Sequence, residues 1–196
     1  MPEDTQLSDS DGVFLVNTAR MAVTEFLSTG MKMKLESEYE KKFSFNSGVF
    51  VTLNNANGLR GCIGFPMPDK KLSNGIIDAA IAAATEDPRY SPVKTDELSD
   101  IEFEVTVLTP PVEIIVTDPM EYLEKIKIGR DGLIIRNSFS SGLLLPQVPV
   151  EYGWNVEEFL QHTCEKAGLE KDTWKNEKVK IKKFEGIVYK EEANGN

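Results

Sequence analysis

Leu59-Arg60-Gly61-Cys62-Ile63-Gly64-Phe65 sets an arginine, a thiol and two glycines inside an apolar run. Strand interiors avoid glycine, which brings no side chain to pack and costs about 0.5–1 kcal/mol of backbone entropy relative to alanine. Glycines here predict a backbone that bends or is approached closely. In an extended chain successive side chains alternate faces. Leu59, Gly61, Ile63 and Phe65 then share one face, and Arg60, Cys62 and Gly64 the other. A guanidinium and a thiol become same-face neighbours, with no bulk beside them at Gly64, so a ligand can reach them.

Working outward, 48–53 is rich in β-formers, and Asn54-Asn55-Ala56-Asn57-Gly58 is a strong turn signal. The two segments are expected to pair as a hairpin that puts Cys62 on a strand. Residues 101–108 alternate, with Ile101, Phe103, Val105 and Val107 facing one way, as in a half-buried antiparallel strand. Further strands are read at 112–116, 133–136, 143–145 and 179–189, the last interrupted at Gly186. Apolar spacing of three and four predicts a helix over 9–28, with Val13, Val16, Ala19 and Val23 on its stripe. An alanine-rich helix follows over 69–86. A capped short helix begins at Asp118-Pro119, and another starts at Asn155 with Glu158 three residues on. Residues 31–43 read as a solvated connector, and 146–149 as a loop pinned by Pro146 and Pro149.

Strands in short-turn pairs with helices interspersed indicate an α+β fold, mainly antiparallel, rather than a doubly wound α/β sheet. The main sheet is expected from 47–53, 59–65, 101–108 and 133–136, with a smaller lobe drawn partly from the C-terminal third. Residues 1–8 read as a flexible leader, 9–190 as a single two-lobed domain and 191–196 as a flexible tail.

The chain has 196 residues, 22 Lys+Arg against 32 Asp+Glu, and a net charge of −10. That field disfavours phosphate backbones and anionic membranes. No stretch approaches the ~20 apolar residues of a membrane span, and the N-terminus lacks a signal-peptide pattern. With two cysteines and one histidine, a disulfide framework is excluded and a Cys/His zinc site is short of ligands. A reducing, cytoplasmic setting is expected, with no metal and no cofactor identified.

Cys62 is the candidate nucleophile, since thiolate is the reactive form and a nearby cation such as Arg60 lowers a thiol pKa. The opposing reading is a small packed residue, because free cysteine is among the most buried types. His162 is the candidate base by elimination, although a solvent-exposed helix histidine is the commoner reading. Cys164, on the apolar stripe of its helix, is read as core. Arg60 and Arg89 are candidates for gripping an anion with their guanidinium forks. The alternative for each, preferred for Arg136, is an internal ion pair with a residue such as Glu102 or Glu104. Gln147 is a polar side chain on the Pro146–Pro149 loop, placed to line a site. Lys175, Lys178, Lys180, Lys182 and Lys183 form a basic cluster, read as a solvated strand face.

The run Leu59-Arg60-Gly61-Cys62-Ile63-Gly64 resembles the signature of the AMMECR family. Asp87-Pro88-Arg89-Tyr90, Gly142-Leu143-Leu144-Leu145-Pro146-Gln147-Val148, Trp154 and Lys166-Ala167-Gly168-Leu169 match in order. The resemblance runs from about residue 8 to 190. It implies a two-lobed α+β fold and supplies no reaction. Prokaryotic members accompany a Memo-like protein and a radical-SAM protein, which implies such partners in a shared pathway.

The function expected from the motif is an enzyme or small-molecule-binding protein. Its site is centred on residues 59–64, with Cys62 and His162 as catalytic candidates. Arg60, Gly61, Gly64, Arg89 and Gln147 would hold a substrate. The alternative is a non-catalytic protein interaction module, in which the glycines admit a partner's backbone. Nucleic acid binding through the lysine cluster is a third, weaker option.

Overall fold

The computed structural model describes residues 7–136, 140–176 and 179–191. Most of the expected leader and tail, and Lys178 of the lysine cluster, lie outside those residues. The described residues form an α+β fold whose strand pairings are antiparallel. Two compact units divide it: Met1–Leu108 with Ile187–Asn196, and Thr109–Gly186.

In the first unit, α1 (Asp9–Thr29) starts at a capping box, with the Ser8 hydroxyl and the Asp11 carboxylate each accepting the other's backbone N–H. Its buried stripe is Leu15, Val16, Ala19, Ala22 and Val23. Val13, expected on that stripe, is 49% exposed; the face is rotated toward Leu15. A short helix, α2 (Ser37–Lys42), interrupts the connector. The expected hairpin forms from β1 (Val49–Asn55) and β2 (Gly58–Phe65), and β3 (Glu102–Leu108) pairs with β1 on its other side. Helix α3 (Leu72–Thr85) and α1 cover one face of this sheet. Val49, Val51, Leu53, Phe103, Val105 and Val107 are sealed beneath them. Each such side chain contributes about 1.5–3 kcal/mol.

The alanines of α3 let that helix lie close on the hairpin. Gly61 completes the fit, because a Cβ there would sit 2.2 Å from the Ala83 carbonyl oxygen. The second motif glycine accommodates the other face, where a Cβ at Gly64 would sit 2.3 Å from the Phe50 ring. The space expected to be open at Gly64 is filled by that ring.

In the second unit, β5 (Asp131–Arg136) lies between β6 (Ser141–Leu144) and β7 (Lys180–Lys190). The two-residue β4 (Val112–Glu113) pairs with β7. A turn of 3-10 helix, capped by Asp118, leads into α4 (Tyr122–Lys125). Helices α5 (Gln147–Tyr152) and α6 (Val156–Lys166) follow, the latter opened by the expected Asn155–Glu158 box. Leu133, Ile135, Phe159, Leu160, Cys164, Trp174 and Ile181 form the core.

The expected place of 133–136 in the main sheet holds, since the strand order is β2-β1-β3-β7-β5-β6 and the direct neighbours of β5 are β6 and β7. Three expectations are corrected. The strand read over 112–116 is paired only at Val112–Glu113. The loop read at 146–149 begins helix α5: Pro149 falls in the first helical turn, where a missing N–H costs no helical bond. The break read at Gly186 is absent, and β7 runs through it. Residues 187–190 of β7 return the chain to the first unit. There the Glu191 carboxylate accepts the Phe103 N–H at 2.9 Å and pairs with Arg20, whose guanidinium also donates to the Leu98 carbonyl at 2.9 Å.

No helix among the described residues is long and apolar enough to cross a membrane. The contact of Gly61 with α3 generates a stability prediction. Gly61→Ala presses a methyl onto backbone that cannot yield, and is expected to lower the urea midpoint by the equivalent of about 1–3 kcal/mol at unchanged slope. Gly75→Ala meets only a Val49 methyl, at 3.0 Å, and gains helix propensity. It is expected to be near neutral in the same titration.

Candidate functional site

The residue brought forward by the motif, Cys62, sits on the edge strand of the first unit's sheet. It lies opposite Thr52, which lies opposite Glu104. The Cys62 backbone is turned away from β1: its N–H donates to Asp87 Oδ2 at 2.8 Å. Asp87 follows the C-terminus of α3 and is 5% exposed. Its carboxylate also takes Arg89 Nε at 2.9 Å, Arg89 Nη2 at 2.7 Å and the Arg89 backbone N–H at 3.1 Å. A longer contact, 3.4 Å, runs from Arg89 Nη2 to the Cys62 carbonyl. A carboxylate and a guanidinium thus occupy places that a neighbouring strand would fill. Hydrogen bonding to Arg89, together with the donors from the Cys62 and Arg89 backbones, holds the Asp87 carboxyl far below the usual aspartate range.

Arg60 lies at a β-bulge. The pairing steps from Gly61↔Leu53 to Leu59↔Asn54, leaving Arg60 without a partner on β1. Bulges re-aim side chains, and this one sends the guanidinium to Glu97. The fork is bidentate, at 2.9 and 3.1 Å, and a third donor reaches the Ser91 carbonyl at 2.9 Å. Only 12% of the Arg60 side chain is exposed. Of the two readings left open for Arg60, the internal ion pair is the one formed, with Glu97 rather than Glu102 or Glu104. Arg60 in turn keeps the Glu97 carboxyl low.

The Cys62 thiol is half-buried, on the sheet face away from α3. The Thr52 hydroxyl donates to its sulfur at 3.2 Å. Burial pushes the thiol pKa up, and the Asp87 and Glu104 charges push the same way; Thr52 and Arg89 oppose them. At neutral pH the group is therefore S–H. Further along the same face, Glu104 pairs with Lys190 Nζ at 2.9 Å. Thiol, hydroxyl, carboxylate and ammonium thus lie in one row across the strands.

The AMMECR1 family model matches residues 16–189. The chain belongs to the AMMECR1 family. It is 51% identical over 187 residues to Protein MJ0810 of Methanocaldococcus jannaschii, covering 94% of this chain and 92% of that one. Protein PYRAB00100 of Pyrococcus abyssi is 48% identical, with 95% and 93% covered. Among solved structures, the crystal structure of uncharacterized protein PH0010 from Pyrococcus horikoshii superposes with a TM-score of 0.78 at 48% identity, covering 95% of this chain and 94% of that one.

In this AMMECR1-family chain the candidate residues divide between the units. Arg60, Gly61, Cys62, Gly64 and Arg89 belong to the first, and Gln147 and His162 to the second. Arg89 is 54% exposed, so its guanidinium has an outward side beyond the Asp87 pair. His162 stacks on Trp154 at 3.9 Å between ring centroids, and its Nδ1 lies 2.7 Å from Glu165. Gln147 is exposed in the first turn of α5. Cys164 is fully buried, and burial raises its thiol to about 11.

Sequence reasoning missed Thr52 and Glu97, quoted Asp87 without giving it a role, and named Glu104 only as a partner for an arginine. Asp87 carried a usable signal: an aspartate beside a proline at a helix end, two residues before an arginine, is placed to close a local turn.

The Asp87 network makes a pH prediction. A carboxyl whose folded pKa is depressed stabilises the fold above the ordinary aspartate value, ~3.9, and loses that contribution as pH falls below it. Asp87→Asn is expected to cost about 1–3 kcal/mol at pH 7, since it weakens the hold on Cys62 N–H and Arg89. It is also expected to flatten the loss of stability below pH ~4. Urea titrations of both proteins across pH 2–7 check both effects.

Proposed function

We propose that this chain binds a small molecule on the open face of the first unit's sheet. Cys62 is the group that meets or bonds the ligand, and the outward side of Arg89 takes its anionic end. One observation carries the reading: Cys62 holds the one polar side chain of the 59–64 motif that is not tied into holding the fold. Arg60 is tied to Glu97 and Ser91, Gly61 is filled by α3 and Gly64 by Phe50. Among the described residues, the sulfur receives only the Thr52 hydroxyl. Arg60, Gly61 and Gly64 serve the ligand by fixing the backbone from which Cys62 projects. Gln147 and His162 have no part in this reading.

Held as S–H, Cys62 acts as a neutral recognition group. It becomes a nucleophile once a bound group offsets the burial that raises its pKa, because only thiolate attacks. A reducing, cytoplasmic setting suits an accessible lone thiol. The Memo-like and radical-SAM partners implied by the family would act on the same ligand's pathway.

Iodoacetamide labelling followed by mass spectrometry tests the reading. Cys62 is expected to label in the native protein and Cys164 not at all. The Cys62 rate should climb only above the ordinary thiol range, ~8.5, and Arg89→Ala should move that rise to still higher pH. Cys62→Ala is expected to leave the urea midpoint within about 0.5 kcal/mol. A native protein whose Cys62 stays unlabelled, or a clear midpoint loss in Cys62→Ala, rejects the site and leaves Cys62 as packing.

A further inference from the structure

The second unit's sheet packs one face on α6. Leu133, Ile135 and Ile181 point into that core, and Gly142 marks the same side, since a Cβ there would meet the Ala167 backbone nitrogen at 2.4 Å. The opposite face carries three rows: Gly132 with Phe184, which is buried like Ile134 beside it, and two rows toward the Arg136 end that bear the charges. Lys180 lies opposite Arg136, which lies opposite Ser141. Glu113 lies opposite Lys182, then Ile134 and Leu143. Arg136, Lys180 and Lys182 are exposed. The carboxylate in these rows, Glu113, is 3.1 Å from Lys180 Nζ. Arg136 and Lys182 have no carboxylate partner among the described residues.

Like charges directly opposite in a sheet are destabilising, and Arg136 faces Lys180 in register. In a chain of net charge −10 such a concentration of cations is a local exception. An anion seated between them removes the repulsion.

An open cleft of about 340 Å³ adjoins this face and shares Glu113 and Lys180 with it. Its lining includes Ile115, Val116, Pro119, Tyr122 and Val179. Ile115 is 71% exposed, as is 63% of nearby Val112. Apolar side chains left open beside a charged face mark interaction surfaces.

We propose that this face and its cleft dock an acidic peptide segment of a protein partner. An apolar side chain of the segment enters the cleft against Ile115 and Val179, and carboxylates meet Arg136 and Lys182. Arginine suits a carboxylate because its planar fork pairs with it bidentately. A nucleic acid fits less well. Its affinity grows with the number of phosphates neutralised, and here three cations, one already paired, face a polyanion that the rest of the chain repels. A phosphate backbone also brings no side chain for the apolar part of the cleft, around Ile115, Pro119 and Val179. This surface lies on the second unit and is independent of the Cys62 reading.

Fluorescence anisotropy of the full chain tests the proposal, with a fluorescein-labelled peptide of four glutamates around a Leu-Phe pair as probe. The peptide is expected to bind, and more weakly as salt rises. The double substitution R136E/K182E should weaken binding about tenfold or more, and Ile115→Asp about threefold or more. A peptide with Gly-Gly in place of Leu-Phe should bind less tightly. Circular dichroism and thermal midpoints establish that the variants fold; if R136E/K182E does not, R136Q/K182Q should still weaken the probe about threefold. No binding at ~1 mM protein, or equal binding by folded wild type and charge variants, overturns the proposal. So does a labelled oligothymidine of the same charge that binds more tightly than the peptide.

Discussion

The local architecture around the motif depends on one carboxylate. Asp87 accepts the outward N–H of Cys62 and holds Arg89 against the same strand edge. An unpaired strand edge is an invitation to association, and proteins blunt it with charge or by covering it. Here the cover is a side-chain pair drawn from the turn that ends α3. It ties that helix end to β2 at the point where Gly61 lets the Ala83 carbonyl come close. Arg60 makes a second tie, from the bulge to the 91–97 segment. Arginine, thiol and glycines in one short run thus serve two ends. Gly61 seats the edge strand on the helix behind it, Arg60 ties it to the 91–97 segment and Gly64 makes room for Phe50, while the thiol is held on the far face.

The elements were largely legible in the sequence because they rest on local rules. The β1–β2 hairpin follows from β-rich segments around an Asn-rich turn, and α6 from its Asn155–Glu158 box. What escaped depends on partners distant in sequence. Gly64 reads as an opening until Phe50 is known to lie over it. Arg60 reads as an anion grip until Glu97 is found in its fork. Strand 131–136 looks the same whichever neighbours it takes, since alternation fixes a face and not a pairing. The α5 turn was hidden by two prolines, whose usual reading as breakers fails in the first turn of a helix.

Of the candidate site, the position of Cys62 on a hairpin strand was readable, and its chemistry was not. A neighbouring arginine in sequence suggests an acidified thiol. The fold sends that arginine to Glu97 and sets two carboxylates, Asp87 and Glu104, within electrostatic reach instead. The thiol that a charge rule would activate is kept protonated by desolvation. Reactivity at such a position turns on a bound charge that offsets the desolvation.

Strand β7 has a consequence for how the molecule is made. Residues 109–186 are, in chain order, an insertion within the first unit, whose final strand segment is translated only after them. The hairpin, α1, α3 and β3 exist long before Glu191 can accept the Phe103 N–H. At roughly 5–20 residues per second on the ribosome, the nascent first unit waits for seconds with one flank of β3 uncovered. The inserted unit waits as well, because residues 180–185 that pair with β4 and β5 belong to the same last strand. The last strand therefore acts as a clasp, and closure of the first unit reports that synthesis has passed residue 191.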